Sequence, residues 1–194
     1  LDAFAATRGI AVLSDEVFSD YAFVDDPARM QVLINAGNRA LTFSMSGLSK
    51  VCGLPQMKLG WIVASGPESN AALDGLEWIA DTYLSVATPV QAALPRLLAA
   101  GTAVREQIRE RTRANLNFLR KAMSGDSSGR VLNVEGGWCA TLQVPRTRSE
   151  EEWALHLLRD HNVRVQPGFF YDFESEAFWV LSLLTEPSIF EEGV

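Results

Sequence analysis

Ser46-Gly47-Leu48-Ser49-Lys50, continued after two residues by Gly53-Leu54-Pro55-Gln56-Met57-Lys58-Leu59-Gly60-Trp61, is the stretch that decides the fold. It bridges two apolar runs, residues 40–45 and 59–64, and a third such run occupies residues 10–14 after Gly9. Continuous apolar runs of this length suit strands of a parallel sheet covered on both faces. Loops and helical patterns between them give the alternation expected of an α/β layer. Polar residues follow the strands: Ser14-Asp15-Glu16-Val17-Phe18 after the first, the lysine segment after the second. In open α/β sheets ligands bind at that end, so Asp15 and Lys50 are expected to point into one crevice from neighbouring strands. Alone, a Ser-Lys pair says nothing, and an aspartate after a strand is more often a helix cap or loop residue. The combination, with Lys58 and Gly60-Trp61 beyond the lysine, carries the reading.

Outward from this stretch the pattern turns helical near residue 68, where Leu73, Leu76, Ile79 and Ala80 share a face. Pro89 is expected to start a second helix ending at Gly101. A longer helix from Thr102 turns Val104, Ile108, Leu116, Leu119 and Met123 inward and leaves Arg and Glu to solvent. Ser124-Gly125-Asp126-Ser127-Ser128-Gly129 ends it in turn formers. Residues 130–134 and 139–144 read as two strands joined across Glu135-Gly136-Gly137. Ser149 and Glu152 make a capping box for a helix with Trp153, Ala154, Leu157 and Leu158 on one side. Residues 163–165 and 178–184 read as further strands, and Ser188 with Glu191 repeats the capping-box spacing. This order predicts a small α+β domain after the turn formers, so that residues 101–194 hold the long linking helix and that domain, after an α/β region over 1–100.

Composition excludes several function classes. A net charge of −7, with no Lys/Arg-rich run, disfavours a phosphate-backbone binder. Cys52 and Cys139 fit no metal spacing, and with His156 and His161 as the only histidines there is no zinc or haem set. Reduced thiols in a cytoplasmic protein are the expectation; a disulfide between them is the alternative. No apolar stretch reaches membrane-spanning length and no signal peptide opens the sequence. Leu1 to Arg8 reads as the end of an amphipathic helix, and Phe190-Glu191-Glu192-Gly193-Val194 stops just after a helix begins. Both ends lead us to expect a piece of a longer protein.

Taken together, Ser14-Asp15, Ser46-Gly47-Leu48-Ser49-Lys50, the Gly/Pro loop, Lys58 and Gly60-Trp61 resemble the class I/II aminotransferases, enzymes of pyridoxal 5′-phosphate fold type I. The resemblance covers essentially the whole chain. It implies the later part of an aspartate aminotransferase-like large domain followed by the small α+β domain, without the N-terminal half. Lys50 would form the Schiff base with the cofactor and serve as the base that shifts the Cα proton, which requires a partly neutral amine. Asp15 would sit against the pyridine nitrogen and keep it protonated. Lys58 stands where the family has an arginine facing the cofactor phosphate; it offers charge without the bidentate fork. Ser46 and Ser49 are candidate hydroxyl donors to that phosphate, with a structural turn role as the alternative for each.

Three positions depart from the family pattern. Phe18 replaces a tyrosine that bonds the cofactor O3′, so the imine is expected to keep its proton to higher pH unless Tyr21 or another group substitutes. Gly47 replaces a frequent serine, and is expected to let the backbone pass close to the phosphate. Val180-Leu181-Ser182 matches an Arg-x-Ser strand whose arginine grips the substrate carboxylate; valine cannot. Arg164 is one candidate replacement, a plain surface position the other reading. Gly136-Gly137-Trp138 resembles the family's Gly-Gly-aromatic turn, so Trp138 is either a substrate-pocket wall or core packing. Pro167-Gly168-Phe169-Phe170 resembles a turn facing the active site. Residues 83–91 resemble the stretch that approaches the partner subunit's cofactor in a homodimer; a helix start at Thr88 and Pro89 explains them equally.

The resemblance implies amino-group transfer between an amino donor and a 2-oxo acid acceptor, with no metal, nucleic acid or membrane partner. A lyase or decarboxylase of the same fold is the alternative, made substantial by Val180, and a ligand-sensing regulatory domain is another. The 194-residue chain alone is expected to be inactive and poorly soluble.

Overall fold

β-Branched and aromatic residues crowd the three N-terminal apolar runs, and each run yields a strand. The computed structural model describes every residue except Gln31, Leu84 and Asp126. The 83–91 and 124–129 stretches thus each include one residue outside the described residues. The chain divides into two compact units: Leu1–Asp20 with Asp25–Glu106, and Tyr21–Val24 with Gln107–Val194.

The first unit contains α1 (Asp2–Thr7), β1 (Val12–Asp15), β2 (Thr42–Gly47), α2 (Leu48–Val51), β3 (Gly60–Ser65), α3 (Ser69–Thr82) and the first half of α4 (Thr88–Ala122). Its sheet has the order β1-β2-β3. β1 and β2 run parallel with Asp15 opposite Met45, but β3 returns antiparallel with Gly60 opposite Gly47. The wholly parallel sheet read from the sequence is therefore corrected to a mixed one. The link from β2 to β3 holds a single turn of α-helix, and the Leu48 N–H donates to Leu59 O at 3.0 Å, folding the link back rather than across the sheet. Coverage of both faces is also not met within this unit, since Leu13, Ile62 and Val63 are exposed. The core here is Leu48, Cys52 and Leu59, packed by Trp61, Val90 and Leu94 among others.

Parallel neighbours usually need a helical crossover, yet among the described residues of 16–41 the helical structure is limited to short 3₁₀ turns at Ser19–Tyr21 and Leu33–Ala36. Side-chain acceptors fasten this crossover instead. Within the first unit the Asp2 carboxylate accepts the Arg39 and Ala40 N–H groups, each at 3.0 Å. Those backbone bonds, Ala40 first, hold its carboxyl below the usual value.

The two helices expected across Pro89–Met123 are one helix, α4, with Pro95 inside it. Gly101 does not end a helix. A Cβ there would lie 2.4 Å from Cys52 Sγ, so glycine serves close packing of α4 on Cys52. Leu116 and Leu119 point inward as read, whereas Val104 is exposed. On α3, Leu73 and Ile79 are exposed, and no residue of that helix is buried.

The second unit pairs β4 (Arg130–Val131), β5 (Cys139–Gln143), β7 (Phe178–Ser182) and β6 (Gln166–Pro167), in that order and all antiparallel. Leu116, Leu119, Ala140, Leu183 and Phe190 form its core. The capping box of α5 (Glu150–His161) is present: Glu152 N–H donates to Ser149 Oγ at 3.2 Å and Ser149 N–H to Glu152 Oε2 at 2.9 Å. Residues 163–165 are not a strand. Asn162 leaves α5 in the left-handed conformation and Val163 N–H turns back to Leu157 O, so pairing begins only at Gln166. The final helix α6 (Pro187–Gly193) is capped by Glu186 rather than by Ser188, because Pro187 starts the helix and the Glu186 side chain accepts from the N–H groups of Ser188 and Ile189. Glu150, 1% exposed, accepts N–H bonds from Phe169 at 2.8 Å and Phe178 at 2.7 Å, which fixes the Pro167-Gly168-Phe169-Phe170 turn.

Candidate functional site

Because β1 and β2 are parallel neighbours, their C-terminal ends share one edge of the first unit's sheet. Asp15 is the last residue of β1 and is exposed; its Oδ1 accepts the Val17 N–H at 3.2 Å, an Asx turn that carries the chain to Phe18. Lys50 lies in α2, the turn directly after β2, and is half-buried. The Lys50 Nζ stands 5.6 Å from the centroid of the Phe18 ring, within cation–π range. The structure thus brings together Lys50, Phe18 and the turn that Asp15 braces.

Ser46 and Ser49 belong to the same strand end, Ser46 on β2 opposite Trp61 and Ser49 in α2, both half-buried. Lys58 is exposed and takes a left-handed conformation, φ 51°, closing the 3₁₀ turn Pro55–Met57. Without glycine, that conformation costs about 1–2 kcal/mol, and here it delivers Leu59 to its bond with Leu48 N–H. Gly47 is extended, so its backbone angles would suit any residue. What it permits is the approach of β3: a Cβ would meet Leu59 O at 3.0 Å and Gly60 Cα at 3.1 Å. This protein–protein contact is a sufficient reason for glycine at that position.

Sequence reasoning passed over Glu16. Its side chain is 8% exposed, and its carboxylate accepts the Ser44 hydroxyl and, at 2.8 Å, the Leu33 N–H. The available signal was strand alternation, which puts Glu16 on the face opposite Asp15, beside Ser14 and its partner Ser44. Cys52, also near α2, is buried, which pushes its thiol up and makes it a packing residue rather than a nucleophile.

In the second unit, Tyr21 is buried and meets the Trp138 ring edge-on at 5.3 Å and 77°. A Cβ on Gly136 would lie 2.5 Å from Tyr21 O, so the Gly-Gly turn accommodates residues 21–23. Trp138 is half-buried in this packing. Val180 is buried in β7 between Thr141 and Gln166. Arg164 is exposed and lines a cavity of about 260 Å³ with Ser182 and Thr185. Among the described residues no helix is long and apolar enough to cross a membrane, and no group of three or more His, Cys, Asp or Glu could hold a metal ion.

Residues 1–180 match the family model for aminotransferase class I and II. S-alkyl-thiohydroximate lyase SUR1 of Arabidopsis thaliana is 33% identical over 101 residues, which cover 48% of this chain and 21% of that protein. Tyrosine aminotransferase from Leishmania infantum superposes with a TM-score of 0.83 at 18% identity, covering 98% of this chain and 48% of that one. The α-aminoadipate aminotransferase LysN from Thermus thermophilus, complexed with N-(5′-phosphopyridoxyl)-L-leucine, gives 0.75 at 22% identity, covering 98% and 50%. The chain spans about half the length of these solved structures, and its matched segment about a fifth of the lyase.

Proposed function

The chain belongs to the class I and II aminotransferases, and from that premise we propose that the protein carrying it moves an amino group between an amino donor and a 2-oxo acid, with pyridoxal 5′-phosphate held at Lys50. The observation that carries this reading is the Lys50 amine beside Phe18, on the turn braced by Asp15 at the end of the neighbouring parallel strand. The donor set suits the cofactor: a primary amine for its aldehyde, a carboxylate for its ring nitrogen, and two hydroxyls and a cation for its phosphate. The phosphopyridoxyl ligand of the Thermus enzyme supports the same choice.

When bound, the cofactor supplies an electron sink for charge developing at the substrate Cα. Lys50 would hold the cofactor and would be the group that takes and returns the Cα proton. Asp15 would face the ring nitrogen, where a carboxylate would favour its protonated form. Ser46, Ser49 and Lys58 anchor the phosphate, Lys58 as a point charge. Phe18 covers the amine with an aromatic face and has no hydroxyl to give. We take residues 1–100 as the later part of the cofactor domain and 101–194 as the linking helix with the small domain. Trp138 is our candidate for a substrate-pocket wall. Homodimerisation and a cytoplasmic location accompany the family reading.

A lyase of the same fold is the second reading. Val180, buried where the family's carboxylate-gripping arginine is expected, favours it, as does the similarity to the Arabidopsis lyase. Incubating the full protein with cofactor, a panel of amino donors and 2-oxoglutarate decides between them. Amination of the acceptor, absent in Lys50→Ala, supports the transferase; donor cleavage without amination of any acceptor supports the lyase.

A further inference from the structure

All of Glu16's polar groups are engaged. Its N–H donates to Met45 O at 2.8 Å, its carbonyl accepts the Ser19 N–H at 3.1 Å, and its carboxylate takes the Ser44 hydroxyl and the Leu33 N–H. The network continues within the first unit: Leu33 O accepts Asn38 Nδ2 at 3.2 Å, and Asn38 Oδ1 accepts the Ser65 hydroxyl at 2.6 Å. Glu16 therefore ties the end of β1 to β2 and, through Leu33 and Asn38 of the crossover, to the end of β3. Two donors, a hydroxyl and an amide, converge on it, and a carboxylate can accept from both. A carboxyl group this deeply buried is tolerated because both of its oxygens are hydrogen-bonded.

Asp15, the last residue of β1, directly precedes Glu16 and is exposed where Glu16 is buried. We propose that Glu16 is a positioning residue: clamped from behind by Ser44 and Leu33, it fixes the direction in which Asp15 presents its carboxylate to the cofactor ring nitrogen. This rests on the assignment of Asp15 made above. Glu16 touches neither cofactor nor substrate; it acts through its neighbour.

The test uses the full protein with pyridoxal 5′-phosphate and two readouts, the cofactor dissociation constant and the pH dependence of the bound cofactor's visible band. Asp15→Asn supplies the reference change. Glu16→Ala is expected to shift the band's pH profile in the same direction as Asp15→Asn and to weaken cofactor binding about ten- to a hundredfold. Glu16→Gln, which still accepts from Leu33 and can donate to a rotated Ser44 hydroxyl, should restore most of both. If Glu16→Ala does not fold, Ser44→Ala removes one of the two donors and should move the profile the same way by a smaller amount. A folded Glu16→Ala or Ser44→Ala variant that melts earlier but keeps the wild-type profile and affinity overturns the proposal. A wild-type profile in Asp15→Asn overturns the assignment of Asp15 itself, and the proposal with it; the two failures are thus distinguishable.

Discussion

The two units each bury one carboxylate to fasten a turn, Glu16 in the first and Glu150 in the second, yet they differ in how they cover their apolar surface. The second unit closes a core of Leu116, Leu119, Ala140, Leu183 and Phe190 beneath a four-stranded antiparallel sheet. The first leaves Leu13 at 67%, Trp78 at 78% and Ile79 at 56% exposed, on a strand and a helix whose patterning reads as buried. The second unit holds an antiparallel sheet closed over its core, and the first holds most of the residues to which chemistry is assigned.

The largest effect that could break this contrast is at Lys50. Lys50→Ala in the full protein should lower amino-group transfer at least about 10³-fold while leaving the thermal midpoint close to wild type. A comparable loss of stability would make the lysine structural. Next in size, Leu183→Ala should destabilise the second unit by about 2–5 kcal/mol, whereas Trp78→Ala in this 194-residue chain should cost about 0.5 kcal/mol or less. Denaturant titration followed unit by unit measures both, and equal costs would erase the difference drawn between the two.

A subtler change concerns Phe18. Phe18→Tyr supplies a hydroxyl donor near Lys50 and should lower the pH at which the bound cofactor's band loses its proton; an unchanged or raised value would mean that another group already donates. A modest effect is expected at the α5 cap. Ser149→Ala should cost about 1 kcal/mol of second-unit stability. Glu152 is held below the usual glutamate value, chiefly by the Ser149 backbone N–H. A lowered folded value contributes stability above the unfolded pKa, and that contribution fades as pH falls through the folded one. The melting difference between wild type and Glu152→Gln should accordingly be present at neutral pH and vanish in acid.

How much of this was legible depended on what each signal physically constrains. The strand ends carrying Asp15 and Lys50 were readable because the polar residues follow apolar runs directly, and the Ser149–Glu152 box because its spacing is set by one helical turn. The direction of β3 was not, since an apolar run looks the same from either end. Gly101 suggested a helix end but answers to Cys52 packed against it, a contact invisible in the local sequence. Pro187 outweighed the Ser188–Glu191 spacing because it starts the helix itself. Glu16 stood beside Asp15 in plain view; its role depends on Leu33 and Ser44, which only the folded crossover brings to it.

The most direct test of the central claim is borohydride reduction of the full protein bound to pyridoxal 5′-phosphate, followed by peptide mapping. The cofactor fixed covalently on Lys50, with the visible band lost on reduction and absent in Lys50→Ala, is the predicted result. A folded protein that forms no reducible band, or that is labelled at a different lysine such as Lys58, would contradict it.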